Sequence, residues 1–137
     1  MRKEVLETLK TLSSRDFRQG ETIFKEGDMP DDTMYFLLTG EIGIMKKRPE
    51  GEREINRVSP GSFFGEMALI GNRPRLASAR VQSVSAKVAV LNKATFLKLC
   101  GTTPQFVLNM LQYAVSRLLA AEDKLQRIKE ENKSGGF

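Results

Sequence analysis

Between about Phe17 and Leu91, short apolar runs alternate with glycine, proline and aspartate, a pattern typical of strands joined by tight turns. The runs rich in β-branched and aromatic residues predict six strands: Thr22–Lys25, Thr33–Thr39, Glu41–Lys47, Glu54–Val58, Ala77–Val81 and Ala86–Asn92. Turn residues such as Gly40, Pro60 and Gly61 separate them. Many short strands at close spacing indicate a small sandwich or barrel.

The apolar spacing changes to that of helices on both sides of this β region. Within residues 3–12, Val5, Leu9 and Leu12 share one face, which predicts a short amphipathic N-terminal helix. After the last strand, Lys93–Cys100 predicts a second short helix. The chain is therefore expected to be mainly β with flanking helices.

A long helix is predicted from Pro104 to about Asn132, because a glycine stop and a threonine cap precede a proline at the first turn. Its apolar positions alternate steps of four and three residues: Val107, Leu111, Ala114, Leu118, Ala121, Leu125 and Ile128. Such a seam has the period of 3.5 residues that pairs helices. Two interpretations stay open, a helix that covers a site in its own domain or a homodimer through this helix. The candidates for contact with such a site are Met110, Leu111, Tyr113, Ala114, Arg117 and Leu118.

The length of 137 residues suits one domain. We place it at 1–132, with the β region at about 14–92, the C-terminal helices at about 93–132 and a flexible tail at 133–137. No apolar run approaches the roughly 20 residues that span a membrane. A single cysteine, Cys100, cannot form an internal disulfide, and the N-terminus lacks an apolar signal sequence. These features favour the cytoplasm.

Lysine and arginine number 22 against 17 aspartates and glutamates, for a net charge of +5. This excess suits nucleic acid, an acidic membrane surface or a small phosphate ligand, although a surface that is simply soluble explains it as well. The lack of histidine is more decisive. It excludes Ser-His-Asp and Cys-His nucleophilic sites and histidine-rich metal sites, and one cysteine excludes a cysteine-only zinc site. We therefore expect no enzyme activity, no metal and no cofactor.

One stretch combines residue types that suit a phosphate and a sugar. Gly65 lets the backbone approach a ligand closely, and the N–H groups of the turn after it can hold an anion. Glu66 would repel a phosphate but suits a ribose hydroxyl, from which a carboxylate accepts a strong hydrogen bond. Pro74 stiffens the approach to Arg75, whose planar fork matches phosphate oxygens. Each feature alone is commonplace, and the combination is specific.

The pattern Phe64-Gly65-Glu66-Met67-Ala68-Leu69, followed by Arg73-Pro74-Arg75-Leu76-Ala77-Ser78-Ala79, closely resembles the phosphate-binding cassette of cyclic-nucleotide-binding domains. The upstream stretch 20–42 is similar to the first β-hairpins of that family, and the resemblance extends over roughly residues 5–130. It implies an eight-stranded antiparallel β-barrel or jelly roll with an N-terminal helix and C-terminal helices.

The resemblance also implies roles for single residues. Glu66 would bind the ribose 2′-hydroxyl, Arg75 would bind the cyclic phosphate, and the backbone amides of Ala68 and Leu76 would complete the phosphate cradle. The segment at about Thr103–Glu131 would swing over the base when ligand binds. The expected ligand-binding residues are Phe64, Gly65, Glu66, Met67, Ala68, Arg75, Leu76, Ala77 and Ser78.

One departure from the family bears on the choice of base. Members that favour cyclic GMP often carry threonine directly after the arginine, where its hydroxyl meets the guanine. Here Leu76 offers no hydrogen bond, and a buried guanine amino group without a partner is costly. We therefore expect cyclic AMP to be preferred over cyclic GMP. A hydroxyl from Ser78 would share the face of Leu76 only in a regular strand.

The sequence thus predicts a ligand sensor that acts on an effector protein or domain which the sequence does not name. Related bacterial regulators carry a helix-turn-helix after the long helix, and the chain ends before one, so we expect no direct DNA binding. The alternative is a degenerate domain that keeps the fold as an interaction or dimerisation module and binds no nucleotide. The presence of both Glu66 and Arg75 argues against that alternative.

Overall fold

A computed structural model describes residues 3–134, apart from the side chains of residues 4–6 and 134. The strands are β1 (Ser14–Arg18), β2 (Thr22–Phe24), β3 (Thr33–Thr39), β4 (Ile42–Arg48), β5 (Gly51–Val58), β6 (Phe63–Phe64), β7 (Ser78–Val81) and β8 (Ser85–Asn92). The helices are α1 (Lys3–Lys10), α2 (Glu66–Leu69), α3 (Lys93–Thr102) and α4 (Pro104–Ser134). Helices therefore flank a β region and interrupt it once, between β6 and β7.

The strands form two four-stranded sheets, with orders β1-β8-β3-β6 and β2-β7-β4-β5, and neighbouring strands are antiparallel. The predicted fold class, mainly β with eight antiparallel strands and flanking helices, is confirmed. The sheets are not closed into a barrel, so closure was the wrong expectation. The edge strand β6 has two residues, both paired with β3, and offers too few backbone groups to bridge to the other sheet.

Strand β3 is buried on both faces and separates two hydrophobic cores. Met34 and Phe36 point to one core and Tyr35 and Leu37 to the other, as the period of two in a strand requires. The helix-side core includes Leu9 of α1, Leu69 of α2, Leu99 of α3 and Phe106 of α4. The inter-sheet core contains residues of both sheets, including Ile42, Val58, Val81 and Val88.

The short strand β6 contributes one ring to each core. The Phe63 ring lies 5.0 Å from that of Phe36 and 5.5 Å from that of Phe106, both edge to face. The Phe64 ring stacks on Tyr35 at 5.4 Å between ring centroids. One peptide unit therefore links the packing of α4 to the packing between the sheets.

Most helix and strand bounds agree with the sequence pattern, and the differences have local causes. Strand β1 was not predicted because its five residues are mostly polar and exposed. Strand β6 was missed because two residues show no periodicity. Helix α4 begins at Pro104 as expected and ends at Ser134, so two residues of the predicted flexible tail are helical. The rest of that tail, residues 135–137, and the side chain of Val5 lie outside the described residues.

Helix α4 has two different faces. Phe106 is buried, and Val107, Met110 and Tyr113 pack against the helix-side core. The exposed apolar positions are Leu108, Leu111, Val115, Leu118, Leu119, Leu125 and Ile128. The first member of the predicted seam, Val107, packs against the domain. The other six members are exposed: Leu111, Ala114, Leu118, Ala121, Leu125 and Ile128. No helix among residues 3–134 is long and apolar enough to cross a membrane.

Candidate functional site

A cavity of about 320 Å³ opens between the segment 63–77, the β4–β5 hairpin and α4. The predicted site residues that line it are Phe64, Gly65, Glu66, Met67, Ala68, Arg75, Leu76 and Ala77. The fold thus brings together the cassette from both sides of α2. Tyr113 and Arg117 of α4 also line the cavity, whereas Leu111 and Leu118 are exposed on the other face of that helix.

Arg75 is the most constrained polar residue of this site, with a side chain 2% exposed. Its Nη1 donates to the Gly65 carbonyl at 2.7 Å, and its Nη2 donates to Asp31 Oδ1 at 2.8 Å and to the Thr33 carbonyl at 2.9 Å. A buried charge is tolerated only when it is paired and hydrogen-bonded in this way. These bonds use three of the five N–H donors of a guanidinium, and the other two have no hydrogen bond to another described residue.

Aromatic rings surround the same guanidinium. The Arg75 Cζ lies 4.2 Å from the centroid of the Phe24 ring and 5.7 Å from that of Tyr35, and both rings belong to the inter-sheet core. A cation near the face of an aromatic ring is stabilised by the charge distribution of that ring. Burial raises the pKa of the Tyr35 phenol, and the nearby Asp31 carboxylate adds to the effect, so this ring stays neutral.

The loop before β3 holds Arg75 through its backbone as well. The Arg75 N–H donates to the Asp28 carbonyl at 2.8 Å, and the Gly27 N–H donates to the Arg75 carbonyl at 2.8 Å. Together with the Asp31 ion pair, these bonds fix both the position and the side-chain direction of Arg75. The sequence pattern indicated only a turn between two strands here, so the role of Asp31 as a partner of Arg75 was not predicted. No local pattern identifies it, because aspartates are common in turns.

Gly65 is at a position where a side chain would not fit. Its φ of +73° lies in the left-handed region, and it precedes the first residue of α2. A Cβ there would lie 2.7 Å from Arg75 Nη1 and 3.0 Å from the Phe24 ring. The glycine therefore permits both the turn into α2 and the close approach of the guanidinium to the Gly65 carbonyl.

Glu66 joins the cassette to the long helix. Its Oε1 accepts a hydrogen bond from Arg117 Nη1 at 2.5 Å, and the two side chains are 27% and 47% exposed. The Arg117 Cζ also lies 5.7 Å from the centroid of the Tyr113 ring. An accessible carboxylate and an accessible arginine thus face the same cavity, each within reach of a polar ligand.

Leu76 and Ser78 differ in their placement. Leu76 is 52% exposed and lines the cavity with an apolar side chain. Ser78 is 5% exposed and does not line it, and its hydroxyl accepts a hydrogen bond from the Glu26 N–H at 2.9 Å. Because β7 begins only at Ser78, the strand alternation that would place Ser78 beside Leu76 does not apply.

Residues of the β4–β5 hairpin form the opposite wall, which the sequence pattern did not assign to the site. Lys46 donates from Nζ to the Leu76 carbonyl and lies 3.5 Å from Glu26 Oε2. The Lys47 N–H, which donates to Glu26, lowers the pKa of that carboxyl. Lys46 therefore connects the cassette backbone to the sheet. Among the described residues, no group of three or more His, Cys, Asp or Glu is arranged to hold a metal ion.

Residues 14–103 match the family model of the cyclic nucleotide-binding domain. The chain belongs to this family. The match begins at the first residue of β1 and ends just after α3, so it contains every residue that contacts the Arg75 side chain.

Similar proteins include regulatory subunits and channels. The chain is 37% identical over 90 residues to the cAMP-dependent protein kinase type II regulatory subunit of Drosophila melanogaster. The matched region covers 66% of this chain and 24% of that protein. It is 30% identical over 117 residues to a cyclic nucleotide-gated potassium channel of Mesorhizobium japonicum. This matched region covers 85% of the chain and 31% of the channel. The chain thus spans less than a third of the length of these relatives.

Solved structures agree with the fold. The catabolite activator protein of Thermus thermophilus superposes with a TM-score of 0.79 at 26% identity, over 94% of this chain and 61% of that one. A cyclic nucleotide-binding domain from Methylobacillus flagellatus superposes with a TM-score of 0.74 at 26% identity, over 92% of this chain and 73% of that one.

Gly65→Ala should destabilise the protein more than a glycine replacement that meets no side chain. Gly61 is the matched control, because its φ is +93° and a Cβ there meets nothing within 4 Å. The left-handed backbone alone costs about 1–2 kcal/mol in either variant, and Gly65→Ala adds the contact with Arg75. Urea unfolding of both variants measures the difference. Equal losses of stability would contradict the steric role of Gly65.

Proposed function

We propose that the chain is a regulatory sensor domain that binds a cyclic nucleotide, with cyclic AMP preferred over cyclic GMP, and that it has no catalytic activity of its own. The observation that carries the proposal is the convergence of Arg75, Glu66 and Leu76 on one cavity. A sugar phosphate that enters there meets a buried guanidinium with free donors and an accessible carboxylate.

The charges around the cavity favour an anion. The cationic side chains that line it are Lys46, Arg48, Arg75 and Arg117, and Glu66 is the acidic one. A cleft lined mainly by one sign of charge concentrates ligands of the opposite sign. The single carboxylate then suits a ribose hydroxyl, because it accepts hydrogen bonds and repels phosphate.

The preference for adenine rests on Leu76. Its half-exposed apolar side chain lies next to the arginine and lines the cavity. It has no group to pair with the amino group of guanine, and an unpaired polar group that becomes buried costs about 1–3 kcal/mol. Ser78 supplies no substitute, because its hydroxyl already accepts a hydrogen bond from the Glu26 N–H.

Cyclic AMP should raise the melting temperature of the protein more than cyclic GMP does, and plain AMP should have the smallest effect. A ligand that binds only the folded state stabilises it in proportion to RT ln(1 + [L]/Kd). Differential scanning fluorimetry over a concentration series of each nucleotide measures the shifts. No shift with any of the three would favour the alternative of an interaction module without nucleotide.

The same fluorimetric titration of the Arg75→Ala variant tests whether Arg75 binds the phosphate. Loss of a buried charged partner should weaken cyclic AMP binding by about 2–5 kcal/mol. Arg53→Ala is the matched control, because Arg53 is an exposed arginine of β5. Arg75→Lys keeps the charge but not the planar fork, and should bind with intermediate affinity.

We also propose that ligand binding moves α4. Arg117 connects this helix to the cassette through Glu66, the residue proposed to accept the ribose hydroxyl. A ligand that occupies the Glu66 carboxylate competes with Arg117 for it. An ion pair as exposed as this one contributes only about 0–1 kcal/mol to stability, so a ligand can displace it.

Saturating cyclic AMP should change hydrogen exchange in the first half of α4, at about residues 104–118. Arg117→Met should remove much of that change, since the link to Glu66 is lost. Arg127→Met, in the exposed part of the same helix, should behave as the wild type does. Exchange monitored by mass spectrometry checks this, and identical exchange of α4 with and without ligand in the wild type would contradict helix movement.

A second role, self-association, is favoured by the outer face of α4. Leu111, Leu118 and Leu125 recur every seven residues and are 58%, 70% and 48% exposed. Leu108 and Val115 precede the first two by three residues and are also exposed. Apolar positions spaced three and four residues apart are the pattern of coiled coils, and Val115, the β-branched member, is of the type that favours two strands when leucine fills the other position. We propose that this seam pairs with the same seam of a second copy.

Sedimentation over a concentration series should therefore detect a dimer of the wild type. Leu118→Glu should shift it to the monomer without unfolding, because Leu118 makes no core contact. Leu97→Glu is the matched control, an exposed leucine on α3 with the same substitution. A wild type that stays monomeric, or a Leu118→Glu variant that stays dimeric, would overturn this role.

A further inference from the structure

Strand β5 contains a β-bulge on the cavity wall. Ile44 of β4 is paired with Asn56, but its neighbour Met45 is paired with Glu54, so Ile55 has no partner in the register. Successive residues of a regular strand point to opposite faces, yet Ile55 and Asn56 both line the cavity. The extra residue of a bulge redirects side chains in this way, and bulges are common beside binding sites.

The wall that carries the bulge is suited to a flat, largely apolar group with one polar edge. Ile44, Ile55 and Val58 line the cavity with aliphatic side chains, and Asn56 lies among them. The phosphate end of the site is at Arg75 and the proposed sugar contact is at Glu66. The base is then the part of a cyclic nucleotide that remains to meet this wall.

The Asn56 amide has a defined orientation. Its Oδ1 accepts a hydrogen bond from the Arg57 N–H at 2.9 Å, so the carbonyl side is occupied by the backbone of its own strand. The Nδ2 group, with two donors, is left to meet a ligand. An orientation held by a backbone N–H makes this side chain a donor toward the cavity.

We propose that Asn56 contributes to recognition of the base by donating a hydrogen bond from Nδ2 to an acceptor nitrogen of the purine ring, N1, N3 or N7, an inference that rests on the proposed function. The other polar side chains of this wall are less suited to the role. Lys46 already donates to the Leu76 carbonyl and pairs with Glu26. Arg48 is the last residue of β4, opposite Gly51 at the tip of the hairpin.

The test compares cyclic AMP with its 1-deaza, 3-deaza and 7-deaza analogues, in each of which CH replaces one acceptor nitrogen of the ring. Calorimetry gives the affinity of each for the wild type, Asn56→Leu and Asn56→Asp. Asn56→Leu removes the donor, and Asn56→Asp keeps the size but presents only acceptors. Asn132→Leu is the matched control, the same substitution at an exposed position of α4.

The wild type should bind one of the three analogues about threefold to tenfold more weakly than cyclic AMP, as the loss of one neutral hydrogen bond predicts. Asn56→Leu and Asn56→Asp should bind cyclic AMP more weakly by a similar factor and should no longer distinguish that analogue. Asn132→Leu should keep the discrimination. Equal melting temperatures without ligand establish that both Asn56 variants are folded.

Two results separate this inference from the function on which it rests. If the wild type binds cyclic AMP but both Asn56 variants bind it equally well, or still discriminate against the analogue, the role of Asn56 is overturned and the proposed function stands. If the wild type binds no cyclic nucleotide, both are overturned.

Discussion

The burial of one positive charge governs the arrangement of the site. The Arg75 guanidinium is almost inaccessible to solvent, so each group around it must provide an acceptor or an aromatic face. Gly65 and Thr33 provide backbone carbonyls, and Asp31 provides the opposite charge. Because these partners come from the cassette, from β3 and from the loop before it, the position of one charge fixes three segments relative to one another.

The long helix shows how one element serves two environments. Its inner face, with Phe106 and Tyr113, completes the core and one side of the cavity. Its outer face leaves Leu111 and Leu118 in solvent. A helix with an apolar seam on the side away from its own domain has more apolar surface than that domain buries, which is typical of interaction sites.

The cassette could be predicted because its residues lie within a short stretch of sequence, and all of its expected members except Ser78 line the cavity. The partners that come from elsewhere could not. Asp31 pairs with Arg75 across 44 residues, and nothing local marks that contact. Asn56 faces the cavity because it is paired with Ile44 across the β4–β5 ladder, and such a register is not visible in the hydrophobic pattern of one strand. The strand order and the open sheet edges likewise depend on long-range pairing.

Strand β6 has a mechanical consequence. Phe63 and Phe64 are consecutive, yet one packs on Phe106 of α4 and the other on Tyr35 beside Arg75. One planar peptide unit joins them, so their Cα atoms stay about 3.8 Å apart. Two adjacent backbone positions thus anchor one ring against α4 and one ring beside Arg75. The shortest covalent path between these two surroundings is a single peptide bond.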